Sequence, residues 1–366
     1  DPVALDYYCG KYVLMPVSGN GRHDPDSLDA ANNHNFFHQM LFNTRDVLLA
    51  GGRQVTTDES RMNVYKGWSP EEPPATPFEY YLAEGCTAYG FETWILVANP
   101  GDRDATVRIT YLADGGGINK DPVRVPARSR FTVNASADAW AMNAGVRVGS
   151  DLPVYVERAM YWGERAEGHD AIGTATGSTE WYLADGHTSD GFETWVEILN
   201  PGATRTGASL TYVTPDGPVA GPSLALEPRS RTTVLVNDTV RSGDVSTKVT
   251  SDHPVVVERS MYWDARRGGA CSNGVKLPSK EWYFAEGATH SGFETWVLLM
   301  NPGPGAAKVK LDLMTTGPGD RGRVRRSVSV PAGARRTVRL NDVVDGADVA
   351  CAVRSDAPVV AERTML

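Results

Sequence analysis

Short stretches in which apolar and polar residues alternate at every second position dominate the chain from residue 79 onward. Val107-Arg108-Ile109-Thr110-Tyr111 and Ser209-Leu210-Thr211-Tyr212-Val213 are β-branched and aromatic, and Asp114-Gly115 and Asp216-Gly217 follow them as turn signals. The same reading predicts strands over residues 130–133, 146–148 and 154–162, separated by Pro, Gly, Asn and Asp. In a strand over 154–162, Val154, Val156, Arg158 and Met160 share one face, while Tyr155, Glu157 and Ala159 share the other. No stretch in this part keeps a helical apolar period long enough for a helix.

The pattern repeats. Gly-Phe-Glu-Thr-Trp occurs three times, ending at Trp94, Trp195 and Trp296, with a step of 101 residues each time. Tyr80-Tyr81-Leu82-Ala83-Glu84-Gly85 returns as Trp181-Tyr182-Leu183-Ala184-Asp185-Gly186 and as Trp282-Tyr283-Phe284-Ala285-Glu286-Gly287. Asn99-Pro100-Gly101 returns at Asn200 and Asn301, and Ser150-Asp151 returns at Ser251 and Ser355, each running on into a Val-Glu-Arg type strand. About seven short strands in about 85 residues predict an immunoglobulin-like sandwich for each copy. The expected architecture is therefore all-β, with sandwich units at 79–163, 180–264 and 281–366, and Trp94, Trp195 and Trp296 in equivalent core positions. Gly-, Ser- and Thr-rich linkers over 163–179 and 264–280 carry the apolar Ile172 and Val275, which suits docking. Residues 1–78 have no counterpart. There the reading predicts a helix over 30–50, capped by Asp29 and stopped at Gly51-Gly52, then a stiff spacer over 68–78 holding Pro70, Pro73, Pro74 and Pro77.

Charge and composition narrow the function classes. The chain has 366 residues with a net charge of −9 and no basic block, which argues against a nucleic-acid partner. No apolar run approaches the ~20 residues that a membrane-spanning helix needs. The chain opens at Asp1-Pro2 without Met and stops at Leu366 inside a pattern that the earlier copies continue, so both ends read as cut.

The three copies resemble a repeat of large secreted or surface-anchored bacterial proteins of unknown function. The resemblance covers roughly residues 79–366 and rests on Trp-Tyr-Leu-Ala-Glu-Gly, Gly-Phe-Glu-Thr-Trp, Asn-Pro-Gly and Val-Glu-Arg-x-Met-Tyr-Trp in order. It implies extracellular placement and an adhesive or structural role, and it carries no catalytic residues. Asp1-Pro2-Val3-Ala4-Leu5-Asp6, followed by Tyr7-Tyr8-Cys9, resembles the closing segment of the domain-of-unknown-function family numbered 362.

Several residues offer chemistry. Cys9, Cys86, Cys271 and Cys351 allow three complete pairings, and Cys9–Cys86 with Cys271–Cys351 as local staples stands against free thiols. His34 and His38 lie four apart on the expected helix but lack the Glu of a metalloprotease motif, so no metal or other cofactor is expected. Glu92, Glu193 and Glu294 precede the repeated Trp, and Glu157-Arg158, Glu258-Arg259 and Glu362-Arg363 recur in the last strand. Paired carboxylates suit glycan hydrolysis. Three tandem copies instead favour structural ion pairs, expected as Arg158–Glu92, Arg259–Glu193 and Arg363–Glu294. Tyr161-Trp162 and Trp181-Tyr182 suit either sugar stacking or packing, and packing is expected. Asn134-Ala135-Ser136 and Asn237-Asp238-Thr239 match the glycosylation acceptor pattern. The expectation is a non-catalytic extracellular structural or adhesive protein, self-associating head to tail through residues 1–78 and 281–366. The alternatives are a multivalent array binding cell-surface glycan and the non-catalytic tail of a secreted enzyme.

Overall fold

The computed structural model describes residues 76–366 except Asp114, Gly115 and Trp140, together with four short strands ahead of them: β1 (Leu5–Tyr8), β2 (Lys11–Val13), β3 (Val47–Leu49) and β4 (Arg53–Val55). β1 pairs antiparallel with β2, and β3 with β4. The helix expected over 30–50 is corrected at residues 47–49, and its other residues lie outside the described ones. Val47–Leu49 are extended and pair antiparallel with Arg53–Val55, as a short β-branched and apolar run can. Cys9, Asp29, His34, His38, Pro70, Pro73, Pro74 and the Asp114-Gly115 turn lie outside the described residues.

The first repeat unit contains β5 (Phe78–Leu82), β6 (Glu92–Asn99), β7 (Ala105–Ala113), β8 (Gly116–Asn119), β9 (Val123–Val125), β10 (Ser129–Asn134), β11 (Ala144–Ser150), β12 (Tyr155–Trp162) and β13 (Glu167–Ile172). One sheet runs β5-β11-β7-β8, with β9 also on β7; the other runs β10-β6-β12-β13. Ile95 and Val97 of the second sheet meet Val107, Ile109, Tyr111, Val146 and Val148 of the first in one buried cluster, so the core lies between the two sheets.

The second unit repeats this order with β14 (Ser178–Leu183), β15 (Glu193–Asn200), β16 (Thr206–Thr214), β17 (Gly217–Leu226), β18 (Ser230–Leu235), β19 (Ser246–Trp263) and β20 (Gly268–Asn273). The third does so with β21 (Ser279–Phe284), β22 (Thr295–Asn301), β23 (Ala307–Thr316), β24 (Arg323–Val330), β25 (Ala334–Arg339) and β26 (Asp348–Met365). β19 and β26 each do the work of β11 and β12 together, pairing with both sheets of their unit.

The spacers were expected as linkers, yet each begins with a strand. β13 pairs along β12 and β20 along β19, and Thr174 and Val275 then bridge back to Tyr81 and Tyr182 through paired backbone bonds. Val275 packs into a buried cluster, whereas Ile172 is exposed.

The repeated motifs are mostly backbone clamps. The Asn99 amide nitrogen donates to the carbonyls of Arg103, Val125 and Pro126, while its oxygen accepts from Gly101 N. Asn200 and Asn301 make the same four bonds in their units. The hydroxyls of Thr93, Thr194 and Thr295, in the Gly-Phe-Glu-Thr-Trp strand, each donate to and accept from one residue of the preceding loop: Cys86, His187 and Ala288 respectively. Asp151, Asp252 and Asp356 accept from the amides of Thr106, Gly207 and Lys308, pinning the crossover between sheets. Trp94, Trp195 and Trp296 are equivalent but not core residues. They are half-buried on the outer face, because Thr93, Ile95 and Val97 and their counterparts take the inward positions of a two-residue period.

Asn200→Ala should strand three buried or half-buried carbonyls and one amide. A loss of about 2–3 kcal/mol is expected, read as a lower denaturant midpoint for the unit that holds Asn200.

Candidate functional site

The Glu-Arg dipeptide of the last strand sits where one unit meets the next. Neighbouring residues on a strand face opposite ways, so in each unit the Arg turns into its own sandwich and the Glu turns outward. Arg158 is fully buried; its guanidinium lies 2.8 Å from the Glu84 carboxylate and donates at 3.1 Å to the Glu84 carbonyl. The same guanidinium meets Glu258 of the second unit at 2.5 Å. Glu258 also accepts from the amides of Ala83 at 2.7 Å and Glu84 at 3.3 Å. One unit on, Arg259 lies 3.3 Å from Asp185 and 3.0 Å from Glu362, and Glu362 accepts from Ala184 N at 2.6 Å. The outward Glu of the second and of the third unit thus plugs into the Arg and the Ala-(Glu/Asp)-Gly turn of the unit before it.

The expected partners are therefore corrected. Arg158 stands opposite Ile95 on the core-facing side, while Glu92 is opposite Tyr161 on the outer side, so the sheet lies between them. Glu92 instead meets Arg165 at 2.7 Å and accepts from the Trp94 indole at 3.2 Å. Glu193 meets Arg266 at 2.7 Å and accepts from Trp195 at 3.1 Å. Glu294 pairs with Arg339, and Arg363 lies 3.2 Å from Glu286. Arg165 and Arg339 also lie over the rings of Trp94 and Trp296. These outer clusters are half-exposed and bind little energy.

Around the first relay the junction collects further ionisable groups. Glu197 stands directly across the strand pair from Glu258, and its Oε2 is buried without a hydrogen-bond partner. Burial, the Glu84 charge and the Glu258 charge, opposed by Arg231 and Arg158, push the Glu197 carboxyl up to about 8. Two like charges directly opposite repel, and holding a proton on one relieves this. Burial alone would raise Glu84, but His169, Arg158 and Arg231 outweigh it and hold its carboxyl down to about 2. Arg231 donates at 2.7 Å to the Gly85 carbonyl, and Tyr262 donates at 3.1 Å to Glu84. Beside the relay, Leu199 and Val256 pack on Ala83 and Leu112. A Cβ on Gly145 would meet the Leu199 methyl at 2.7 Å, so the glycine is what lets the second unit seat.

Glu84, His169 and Cys271 bring three donor atoms within 4.8 Å of one another, the geometry of a candidate metal centre. The residues do not fit one. The Arg158 guanidinium already lies 3.0 Å from the Cys271 sulfur and 2.8 Å from Glu84, filling the place of a cation. Burial also pushes the Cys271 thiol up, where a metal ligand needs thiolate. The cysteine pairing is corrected as well. Cys86, Cys271 and Cys351 are free thiols: Cys271 belongs to the junction, and Cys351 to the core of the third unit. Of the acceptor-pattern asparagines, Asn134 caps a short helical turn, and Asn237 is bonded to Thr188, Phe192 and Thr194. The sequence reading missed Glu84, Glu197, His169 and Tyr262 because no local motif joins them. The one available signal was that the recurrent Glu-Arg pair needs two separate partners for two opposite faces.

A model of the family described as "Family of unknown function (DUF5719)" matches residues 73–270 and 263–362. No curated protein matches the sequence. Among solved structures, the Thermotoga maritima protein 1070 is 18% identical, covering 27% of this chain and 94% of that chain at a TM-score of 0.25. The Anabaena sensory rhodopsin transducer is 26% identical, covering 25% of this chain and 99% of that chain at a TM-score of 0.21. The Streptomyces avermitilis α-L-rhamnosidase, solved with L-rhamnose, is 9% identical, covering 81% of this chain and 45% of that chain at a TM-score of 0.17.

Glu258→Ala leaves Arg158 buried with one partner and should cost about 3–5 kcal/mol, appearing as separate unfolding of the first two units. Glu92→Ala should barely move the transition. Glu197 ordinarily loses its proton near 4.5 and here does so near 8, so its contribution is intact below about 4.5 and is lost as pH rises through 8. Urea midpoints from pH 4 to 9 should therefore fall less steeply in Glu197→Gln than in the unaltered chain.

Proposed function

We propose that this chain, which belongs to the family of unknown function DUF5719, is a non-catalytic extracellular scaffold with a structural or adhesive role, built as a stiff row of three immunoglobulin-like sandwiches. The observation that carries this reading is the fate of the recurrent carboxylates. Glu258 is fully buried and Glu362 largely so, and they are matched to Arg158 and Arg259 and seated on backbone amides. A hydrolase needs a pair of carboxylates facing substrate and water. Acids held this way join units instead. The extracellular part of the reading rests on the resemblance of the repeat to secreted and surface-anchored proteins.

A glycan-binding array is the second reading, favoured by Tyr155 and Tyr161, which are exposed on the outer sheet face of the first unit. An array needs the same surface in every unit. Val256 and Tyr262, at the places of Tyr155 and Tyr161 in the second unit, are buried, which leaves at most one such face.

Small-angle scattering of the full chain should fit one rigid arrangement of units, and a panel of glycosides should show no turnover. Surface protease should also reach the protein on intact source cells. A flexible ensemble of units, or turnover lost in Glu258→Gln with the fold retained, overturns the scaffold reading.

A further inference from the structure

Positive charge collects on one face of the third unit, in a chain whose net charge is −9. Lys308, Lys310 and Asp312 alternate on β23 with the buried Val309, Leu311 and Leu313, so they share the outer face of that sheet. Asp312 stands opposite Arg325, and Lys310 opposite Arg354, which brings the outward residues of β24 and β26 alongside. Arg323, one two-residue step from Arg325, completes the group. Strand pairing thus gathers five cations that the sequence spreads from residue 308 to residue 354.

The counter-charge on this face is too small to match them. Asp312 pairs with Arg323 and lies 3.7 Å from Arg325 and 3.5 Å from Arg354, while Glu281 lies 3.5 Å from Arg354. Two acids therefore serve three guanidiniums, and Lys308 and Lys310 have no ion-pair partner among the described residues. Lys310 and Arg354 are also direct cross-strand neighbours, and like charges so placed destabilise a sheet. The other units avoid this. The places of Lys310 and Arg354 hold Ser209 and Thr250 in the second unit, and Arg108 and Gly149 in the first. Packing between units also leaves the face open. In the second unit the places of Lys310, Arg323 and Arg325 are Ser209, Pro218 and Ala220, and all three are exposed although the third unit is seated beside them.

We propose that the outer β24-β23-β26 face of the third unit binds an acidic polysaccharide, whose carboxylates take up the unmatched charge of Lys308, Lys310 and the arginines beside them. The proposal rests on the scaffold reading above and gives its adhesive role a partner, at one site per chain rather than in an array. Charge complementarity names the chemistry, because a guanidinium meets a carboxylate through two parallel hydrogen bonds. The spacing favours a polymer. Lys308 to Lys310, and Arg323 to Arg325, are each one step of about 7 Å along a strand, so an extended chain lying along the strands meets a cation at every step. The exposed Ser327 and Ser329 stand opposite Lys310 and Lys308 and offer hydroxyls to the sugar hydroxyls between carboxylates. The negative charge of the chain as a whole repels a broad, densely charged partner such as a nucleic-acid duplex.

Calorimetry of the full chain with polygalacturonate, at low and at physiological salt, tests this. Binding that weakens as salt rises is expected, with none to uncharged dextran. Lys308→Glu and Lys310→Ser should each weaken it about five- to tenfold. Arg267→Glu, an exposed reversal in the second unit, should change it less than about twofold. Lys310→Ser should leave the unfolding midpoint unchanged or raise it, because it removes a like charge from beside Arg354. A residue kept only for the fold would lower the midpoint instead. The inference is overturned by absence of binding at low salt, by an equal loss in Arg267→Glu, or by weaker binding seen only together with a lowered midpoint. Tighter binding of polyphosphate, duplex DNA or phosphatidylglycerol vesicles than of polygalacturonate also overturns it. Rigid scattering without polygalacturonate binding would do so while leaving the scaffold reading in place.

Discussion

The molecule depends on an arginine that its own unit cannot fully satisfy. Arg158 and Arg259 are buried inside sandwiches, where an unpaired guanidinium would cost several kcal/mol of lost hydration. Glu84 or Asp185 supplies one counter-charge, and the second comes only from the next unit, through Glu258 or Glu362. That requirement couples the units. A sandwich with its successor removed would retain a buried cation with incomplete pairing, so orientation between units is set by charge geometry as well as by apolar contact. The strands explain why one dipeptide suffices. Adjacent residues project to opposite faces, which lets a single Glu-Arg pair serve the junction behind it and the junction ahead of it.

The relay operates in two different surroundings. The first junction is polar and crowded, with Glu197, His169, Cys271 and Tyr262 around Arg158. In the second, Leu298 stands where Glu197 does, and Leu298, Met300 and Val360 pack with Tyr182, Ala184 and Val213. Arg335, at the place of Arg231, faces Asp244 at 3.1 Å rather than a backbone carbonyl. Burial lowers the Arg335 pKa against the pull of Asp244. The second junction is thus held more by apolar area and the first more by matched charge. Proton uptake at Glu197 belongs to the first alone.

Much of the fold was legible in the sequence, and for a definite reason. The two-residue alternation in Val107–Tyr111 and its counterparts depends only on local geometry, and it predicted strands that are present as β7 and β16. The 101-residue step foretold that Asn99, Asn200 and Asn301 share an environment, and all three make the same four bonds. The alternation was also sufficient to place Arg158 with Val156 and Met160 on an inward face. It would have placed Trp94 outward too, had the Thr93–Ile95–Val97 face been weighed against the size of the indole.

What the sequence by itself determined is the set of local elements, their repetition, and the presence of one acid and one base per unit that face opposite ways. Those follow from backbone periodicity and duplication, which need no knowledge of distant contacts. Which acid meets which base was decided only by tertiary structure. Glu258 is 100 residues from Arg158, and their meeting depends on how a whole sandwich seats against the Gly145 surface. The same is true of the free thiol at Cys271, which packs beside a guanidinium from another unit instead of a second cysteine. Pairing across a junction is a property of rigid-body placement, and rigid-body placement is fixed by the sum of many side-chain contacts that no single motif encodes.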